Sequence, residues 1–338
     1  MTVMRRILVP IKSLTGRSAA TVLKAAQLAR ATRSSIELYH VLRPSTYPAS
    51  FAEAHGVHSH FDSEVRETAL RRLEALADRV RSHEIKVSVS VGWDYPEYEA
   101  IIRRACAIKA DLIVASQHAG RHRWRFFLKL TDWELVRLSP IPVLLVKNQN
   151  PYRHPAVLAA IDPAHSHRKP EMLDAAILRA AGEWSTALRG TLHAVHAYDR
   201  FPINMPPEAL KSGALDDLQA QADQLAAKRF SHALTTARVA RKRQYLIPAS
   251  PVEAIGEAVR SSRSAILVMG VISRSGIKRL LIGNTAENLL DVLSCDILVI
   301  KPPTFRSGVP GRTSARARGL IAQDPPPRRG PPSRVHSV

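Results

Sequence analysis

The sequence repeats itself at a spacing of 154 residues, and this repeat constrains the fold more than any other feature. Residues 111–116 (DLIVAS) recur as residues 265–270 (AILVMG), and residues 141–147 (IPVLLVK) recur as residues 295–301 (CDILVIK). Segments that match in the same order at a shared spacing indicate that one structural unit has been duplicated. The length of 338 residues agrees with this, because single domains are typically about 100–200 residues long.

The two copies also match at their beginnings, where residues 7–12 (ILVPIK) correspond to residues 157–162 (VLAAID). This offset is 150 residues rather than 154, so the copies differ in length within their middle parts. We therefore predict a first domain over residues 1–150 and a second domain over residues 151–302. Residues 303–338 are rich in proline and arginine, which predicts a disordered basic tail.

Within each copy, short apolar runs alternate with longer amphipathic segments. The run within residues 5–11 is typical of a strand that is buried on both faces of a parallel sheet. Residues 17–32 have helical spacing and many alanines, which favour a helix. Strands separated by helices predict right-handed βαβ units. The predicted fold class is therefore α/β, with two tandem, doubly wound, five-stranded parallel sheets.

The same patterns give approximate bounds for each element. The predicted strands are residues 5–11, 35–42, 85–91, 111–115 and 142–147 in the first copy and 156–161, 190–197, 242–247, 265–269 and 296–301 in the second. The predicted helices are residues 17–32, 62–82, 95–109, 170–187, 213–237, 250–262 and 284–293.

The composition argues against several classes of protein. No run of about 18 uncharged apolar residues is present, so we predict no membrane span. The amino-terminal residues lack the pattern of a secretory signal, and the chain has 2 cysteines, one in each copy, so we expect a cytoplasmic protein. The net charge is +20, but no nucleic-acid-binding motif accompanies it. A solvated basic surface is therefore favoured over a nucleic-acid partner.

A glycine-bounded loop in the second copy has the features of a phosphate site. Gly270 ends the fourth predicted strand, and Gly283, Asn284 and Thr285 open the helix predicted to follow. A helix start presents free backbone N–H groups and the positive end of the helix dipole, and glycine lets an anion approach the backbone closely. Ligands on parallel sheets bind beyond the carboxyl ends of the strands. On these residues alone, an ordinary capped loop remains the alternative.

The order strand, Gly-x2-Ser-x9-Gly-Asn-Thr, helix resembles the nucleotide loop of the universal stress protein family. In that family the loop reads Gly-x2-Gly-x9-Gly-(Ser/Thr), so Ser273 and Asn284 are departures from the pattern. The resemblance covers about residues 3–302 and is strongest to the tandem, two-domain E-type members. That closer match rests on residues 131–133, 140–147, 201–204, 283–287 and 295–302, which occur in family order.

This resemblance implies a fold, a ligand and a site for the second copy. The fold is of the adenine-nucleotide alpha-hydrolase-like type, and the ligand is ATP or a related nucleotide, with Mg²⁺ as the only accompanying metal. Asp162 would end the first strand near the ribose, Ala197 would lie against the adenine, and the loop residues would surround the ribose and phosphates. The implied nucleotide-binding residues are Asp162, Ala197, Met269, Gly270, Ser273, Gly283, Asn284 and Thr285.

The first copy departs from this pattern at every matched position. Lys12 stands in the place of Asp162, Ser116 in that of Gly270 and Ala119 in that of Ser273. Residues 129–130 (Lys-Leu) replace the pair Gly283 and Asn284. A lysine removes the carboxylate acceptor that a ribose hydroxyl needs. We therefore predict no nucleotide in the first copy and give it a structural role, with the last strands of the two copies pairing as an internal pseudo-dimer.

The residues favour a binding and sensing protein over an enzyme. The chain has no Walker loop and no nucleophile elbow, so we predict no catalytic residues. Residues 201–205 (FPINM) are unusually apolar for a loop, which leaves open a binder of an apolar metabolite or lipid fragment. Weak ATPase activity and a homodimer are also left open. The predicted function is a stress-response sensor or protective factor.

Overall fold

The computed structural model describes residues 4–14, 18–43, 57–82, 84–117, 130–164, 172–199, 214–271, 288–290 and 292–311. The first copy contains β1 (Arg6–Pro10), α1 (Ala19–Thr32), β2 (Ser35–Leu42), α2 (Val57–Asp78), β3 (Val87–Trp93), α3 (Glu97–Ala107), β4 (Leu112–Ser116), α4 (Leu130–Leu138) and β5 (Val143–Val146). The strands are apolar and mostly buried, as the sequence predicted for a covered parallel sheet.

The second copy repeats this order. It contains β6 (Ala156–Ala160), α5 (Met172–Ala187), β7 (Thr191–Ala197), α6 (Ala214–Leu234), a 3-10 turn (Arg241–Arg243), β8 (Gln244–Ile247), α7 (Pro251–Ser262), β9 (Ile266–Gly270) and β10 (Asp296–Ile300). Residues 288–290 and 292 are also helical.

All ten strands form one sheet, in the order β3-β2-β1-β4-β5-β10-β9-β6-β7-β8. Within each copy the five strands are parallel, which confirms the predicted α/β class. The last strands of the two copies pair antiparallel at the centre, with Leu144 opposite Leu298. This is the pairing that the sequence predicted for the last strands, and it joins the two sheets into one.

Each face of the sheet is covered by one apolar core that runs through both copies. On one face, α1, α2, α5 and α6 contribute residues such as Leu28, Leu73, Ile177 and Phe230. On the other face, α3, α4 and α7 contribute residues such as Ile101, and Leu289, Leu290 and Leu293 pack there as well. The two copies therefore share both of their hydrophobic cores, in addition to the strand pairing.

The same local geometry recurs where α1 and α5 end. Arg33 and Arg189 both adopt positive φ angles, of 56° and 53°, and lie one and two residues beyond the last residues of α1 and α5. Ser34 N–H donates to the Ala29 carbonyl oxygen (2.9 Å), and Gly190 N–H donates to the equivalent carbonyl in α5 (2.6 Å). These pairs are 156 residues apart, so the change of offset from 150 falls between β6 and α5.

The lysines that follow the two last strands each reach a helix of the other copy. Lys147 Nζ donates to the carbonyl oxygens of Leu290 (2.7 Å) and Leu293. Lys301 Nζ donates to the carbonyl oxygen of Arg137 near the end of α4 (3.1 Å). A cation at the carboxyl end of a helix is favourable. Burial, and to a lesser degree the charge of Arg137, lowers the pKa of Lys301 to about 7.

The chain that follows β10 lies against the first copy. Ser307 Oγ donates to the carbonyl oxygen of Leu138 (2.7 Å), and Arg103 Nη1 lies 3.5 Å from the carbonyl oxygen of Pro310. The sequence predicted disorder from residue 303 onward. These contacts correct that prediction for residues 303–311, because they give the segment partners in α3 and α4. Residues 312–338 lie outside the described residues.

Candidate functional site

The carboxyl ends of β6 and β9 form a topological switch point in the second copy, which we call the crevice. Chain order reverses there, because β6 pairs with β7 on one side and with β9 on the other. Such a switch point is where open parallel sheets bind ligands. Asp162 follows β6, Ala197 ends β7, and Met269 and Gly270 end β9. The structure thus brings these four predicted site residues to one edge of the sheet.

The other four predicted site residues belong to the loop after β9. They are Ser273, Gly283, Asn284 and Thr285, and they lie outside the described residues. The apolar loop at residues 201–205 also lies outside them.

The main chain at Asp162 is held in place by Asp174, a residue that sequence reasoning missed. Asp162 N–H points at both carboxylate oxygens of Asp174, at 3.1 and 3.2 Å. Asp174 lies near the start of α5 and is only 6% exposed. Ser18, which is also buried, is the matching residue of the first copy at the offset of 156 and donates to the carbonyl oxygen of Ser13 (3.2 Å). In both copies, a residue at or next to the start of the helix therefore fixes the turn after the first strand.

A buried histidine anchors the same turn from β7. His196 Nδ1 lies 3.3 Å from the carbonyl oxygen of Ile161, and its ring packs against Phe230 with the centroids 5.9 Å apart. In the first copy, His40 Nδ1 lies 2.5 Å from the carbonyl oxygen of Ile11. The tautomer with a proton on Nδ1 donates to the carbonyl in each case. These histidines fix the turn that precedes Asp162 and its first-copy equivalent.

Gly270 is required by packing as well as by its place at the crevice. A Cβ atom at this position would lie 2.7 Å from Cδ2 and 2.9 Å from Cγ of Leu173, and 3.1 Å from Cδ1 of Ile177. Helix α5 therefore packs directly onto the end of β9. Met269 beside it is 6% exposed and belongs to a hydrophobic core. The presence of Gly270 is thus explained by packing against α5, without reference to a phosphate.

The corresponding edge of the first copy is closed by an ion pair. Lys12, in the place of Asp162, forms a salt bridge with Asp132 near the start of α4. The two side chains are only 14% and 12% exposed. At the offset of 154, Asp132 matches Ala286, so the second copy has no such carboxylate at that position. The charge of Lys12 is therefore compensated within the protein.

A surface groove of about 480 Å³ runs between α5 and α6, beside the crevice. It begins at Pro163 and Asp174 and is bordered by the cationic residues Arg179 and Arg229, with Gly182 in its wall. A volume of this size is sufficient for a small ligand, since ligand pockets are typically about 300–1,000 Å³.

Neither a metal cluster nor a membrane span is found in the part of the chain that the structure describes. No group of three or more His, Cys, Asp or Glu side chains there could hold a metal ion. No helix among the same residues is long and apolar enough to cross a bilayer.

Comparison with known families matches both copies to one model, described as the universal stress protein family, over residues 4–147 and 156–301. The chain belongs to the universal stress protein family. Among curated members, it is 28% identical to universal stress protein E of Salmonella typhi over 258 residues, covering 75% of this chain and 78% of that protein. It is 25% identical to the universal stress protein E homolog of Haemophilus influenzae, covering 76% and 85%.

Solved structures of universal stress proteins and similar chains share the fold. A functionally unknown protein from Pseudomonas aeruginosa PAO1 superposes with a TM-score of 0.65 and 25% identity, covering 89% of this chain and 93% of that one. A universal stress protein from Archaeoglobus fulgidus gives a TM-score of 0.56 at 16% identity, covering 88% and 98%. The second likeness supports the fold alone.

Proposed function

We propose that this universal stress protein acts in the stress response by binding ATP or a related nucleotide in its second copy, as a sensor or protective factor and not as an enzyme. One observation carries the proposal. Asp162 follows β6 at the switch-point crevice, whereas Lys12 at the same place in the first copy is neutralised by Asp132. The two copies share a fold but differ in the charge that they offer a ligand.

The chemistry of this edge of the sheet suits the sugar of a nucleotide. A carboxylate accepts hydrogen bonds from the paired hydroxyls of a ribose. Asp174 and His196 both hold the peptide group between Ile161 and Asp162, so the main chain that carries this carboxylate is fixed in advance. A site fixed before binding loses less conformational freedom when the ligand enters. The loop with Gly283, Asn284 and Thr285 would receive the phosphates, with Mg²⁺ accompanying them.

Titration of ATP with Mg²⁺ against purified full-length protein tests this proposal. We expect Asp162→Ala to weaken binding about 10- to 100-fold, because a hydrogen bond to a charged group contributes roughly 1.5–3 kcal/mol. Gly283→Val should also abolish tight binding by blocking the approach of a phosphate. Asp217→Ala is the matched control, because it removes an exposed carboxylate from α6. Equal affinity in all four proteins would contradict the proposed site.

An apolar metabolite or lipid fragment is the second candidate, and the apolar part of the wall of the groove between α5 and α6, formed by Leu178, Ala233 and Ala237, favours it. The groove lies next to Asp174, so a ligand there would share a border with the nucleotide crevice. Mass spectrometry of the small molecules released on denaturing the protein distinguishes the two candidates. Release of a nucleotide supports the first, whereas release of an acyl or other apolar compound, with no ATP binding by titration, supports the second.

The remaining parts of the proposal concern activity and setting. We expect no ATP turnover above that of the Asp162→Ala variant in a phosphate-release assay, which would exclude a weak ATPase. We further propose domain boundaries near residues 150 and 302, a cytoplasmic setting and an internal pseudo-dimer of the two copies as the working unit. A homodimer of whole chains is the alternative assembly.

A further inference from the structure

A completely buried ion pair joins the two copies. Lys24 Nζ in α1 lies 2.5 Å from Oδ2 of Asp296, the first residue of β10. The lysine side chain is 1% exposed and the aspartate 0%. Taking two charges out of water is costly, and the loss is offset only when the geometry is good and further hydrogen bonds are made.

Every contact of Asp296 that completes this network comes from the first copy or from the chain just after it. Oδ1 accepts hydrogen bonds from Lys147 N–H (2.8 Å) and Asn148 N–H (3.2 Å). Oδ2 accepts one from the hydroxyl of Tyr152 (2.6 Å) as well as the bond from Lys24. Lys24 also donates to Asn148 Oδ1 (2.8 Å) and lies 4.8 Å from the centre of the Tyr152 ring.

The network exists on only one side of the approximate two-fold axis between the copies. That axis passes near the facing pair Leu144 and Leu298, so each position has an equivalent in the other copy. The equivalent of Asp296 is Pro142, and the equivalent of Lys24 is Ala180. Two uncharged residues therefore stand where the second network would be.

The consequence concerns which surfaces can pair. If two first copies joined through β5, each would bury Lys24 against the partner's Pro142. If two second copies joined through β10, each would bury Asp296 against the partner's Ala180. One of the two backbone donors to Asp296 would also be lost, because Pro302 stands in the place of Asn148 and has no N–H. Both like pairings would leave two buried charges uncompensated.

We propose that this network makes the central interface selective. The β5 edge of a first copy pairs with the β10 edge of a second copy and not with the β5 edge of another first copy. Likewise, the β10 edge of a second copy pairs with a β5 edge and not with another β10 edge. The partner that fits each surface is thus the other half of this chain. The selectivity closes the chain on itself and prevents open-ended assembly through its central strands.

A cut chain tests the selectivity directly. A protease site is inserted between Asn150 and Pro151, the full-length protein is folded and then cut, and heavy- and light-isotope preparations are mixed in mild denaturant. Native mass spectrometry then counts the pieces in each complex. Mixed complexes of a first and a second copy should exceed like pairs at least about a hundredfold, because each like pair leaves two buried charges unpaired.

Two variants set the comparison. In Lys24→Met with Asp296→Asn, the excess of mixed complexes should fall below about tenfold, whereas Lys24→Arg, which keeps the charge, should retain most of it. The proposal would be overturned if the cut protein without substitutions formed like pairs in nearly statistical amounts. A neutral double variant that keeps the full excess, or a cut protein whose copies separate and do not re-pair, would also overturn it.

A measurement on the uncut chain covers the case in which the pieces do not exchange. Hydrogen exchange at the amides of Leu145 and Ile297, which face each other across β5 and β10, reports opening of the β5–β10 pair. Lys24→Met and Asp296→Asn should each speed this exchange about a hundredfold. Exchange in the double variant should be much slower than the rate obtained by multiplying the two single-variant effects. Independent, multiplying effects would show that the two charges do not act as one unit and would overturn the proposal.

Discussion

Reversing the charge of Lys12 tests the account of the first copy most sharply. Lys12→Asp places a carboxylate where the second copy has Asp162, but beside Asp132, with both positions less than 15% exposed. At about 4 Å and an effective dielectric constant near 20, two like charges repel by about 4 kcal/mol. Protonation of one carboxylate limits the cost, because raising an aspartate pKa from its usual value of about 3.9 to 7 takes about 4 kcal/mol.

We therefore expect Lys12→Asp to lower the free energy of unfolding by about 3–5 kcal/mol at pH 7. Lys12→Met, which removes the ion pair without adding repulsion, should cost about 2 kcal/mol, because the residual exposure of the pair screens it. The difference between the two variants should shrink at pH 4–5, where the paired carboxylates share a proton. Urea unfolding followed by circular dichroism provides the free energies.

The exchanged variant, Lys12→Asp with Asp132→Lys, completes the test. It should recover at least half of the loss seen in Lys12→Asp, because opposite charges again face each other. Equal urea midpoints for Lys12→Asp and Lys12→Met at pH 7, together with no recovery in the exchanged variant, would refute the ion pair as the reason that the first copy tolerates a lysine.

Three further predictions follow from packing and burial. Gly270→Ala should lower the free energy of unfolding in urea by about 1–3 kcal/mol, because the added Cβ overlaps side chains of α5. Ser116→Ala at the matching position of the first copy should change the urea midpoint little. Equal effects of the two substitutions would contradict the packing argument. The pKa of Lys301 is lowered from 10.5 to about 7 in the folded protein, so between these pH values the unfolded chain binds the extra proton. The free energy of unfolding should therefore rise with pH from 7 to 10, and Lys301→Met should flatten that rise. A thiol reagent at pH 8 should label Cys106 before Cys295, since burial raises the pKa of the latter to about 11; faster labelling of Cys295 in the native state would contradict its burial.

The repeat and the strand patterns predicted most of the fold, because strands buried on both faces of a parallel sheet are continuously apolar. The sequence did not predict helix α4, which occupies only Leu130–Leu138 between two apolar strands. It placed the start of α2 at residue 62 rather than Val57. Element ends are set by tertiary contacts as much as by local propensity, so such bounds shift by a few residues.

The candidate site was predicted less completely, for a different physical reason. Asp162 was identified through the family resemblance, which implies a carboxylate at the end of the first strand. The ion pairs that distinguish the two copies join residues that are distant in sequence: Lys12 and Asp132 are separated by 120 residues, and Lys24 and Asp296 by 272. A charged residue on a predicted helix is usually solvated, so no local pattern shows that Lys24 is buried.

Asp174 was missed because the two copies lose their simple alignment just before it. The offset changes from 150 to 156 between β6 and α5, so the match with Ser18 is visible only once the helix ends are superposed. The loop with Gly283, Asn284 and Thr285 remains a prediction, since it lies outside the described residues.

The central claim is that the tandem is asymmetric, with one ligand site in the second copy and a closed equivalent in the first. Counting ATP molecules bound to each full-length chain by native mass spectrometry, at saturating ATP and Mg²⁺, tests it most directly. We predict one ATP for each chain, retained in Lys12→Met and reduced in Asp162→Ala to the occupancy of a site that binds about 10- to 100-fold more weakly. Two ATP molecules for each chain, or one that is lost in Lys12→Met and retained in Asp162→Ala, would contradict the account.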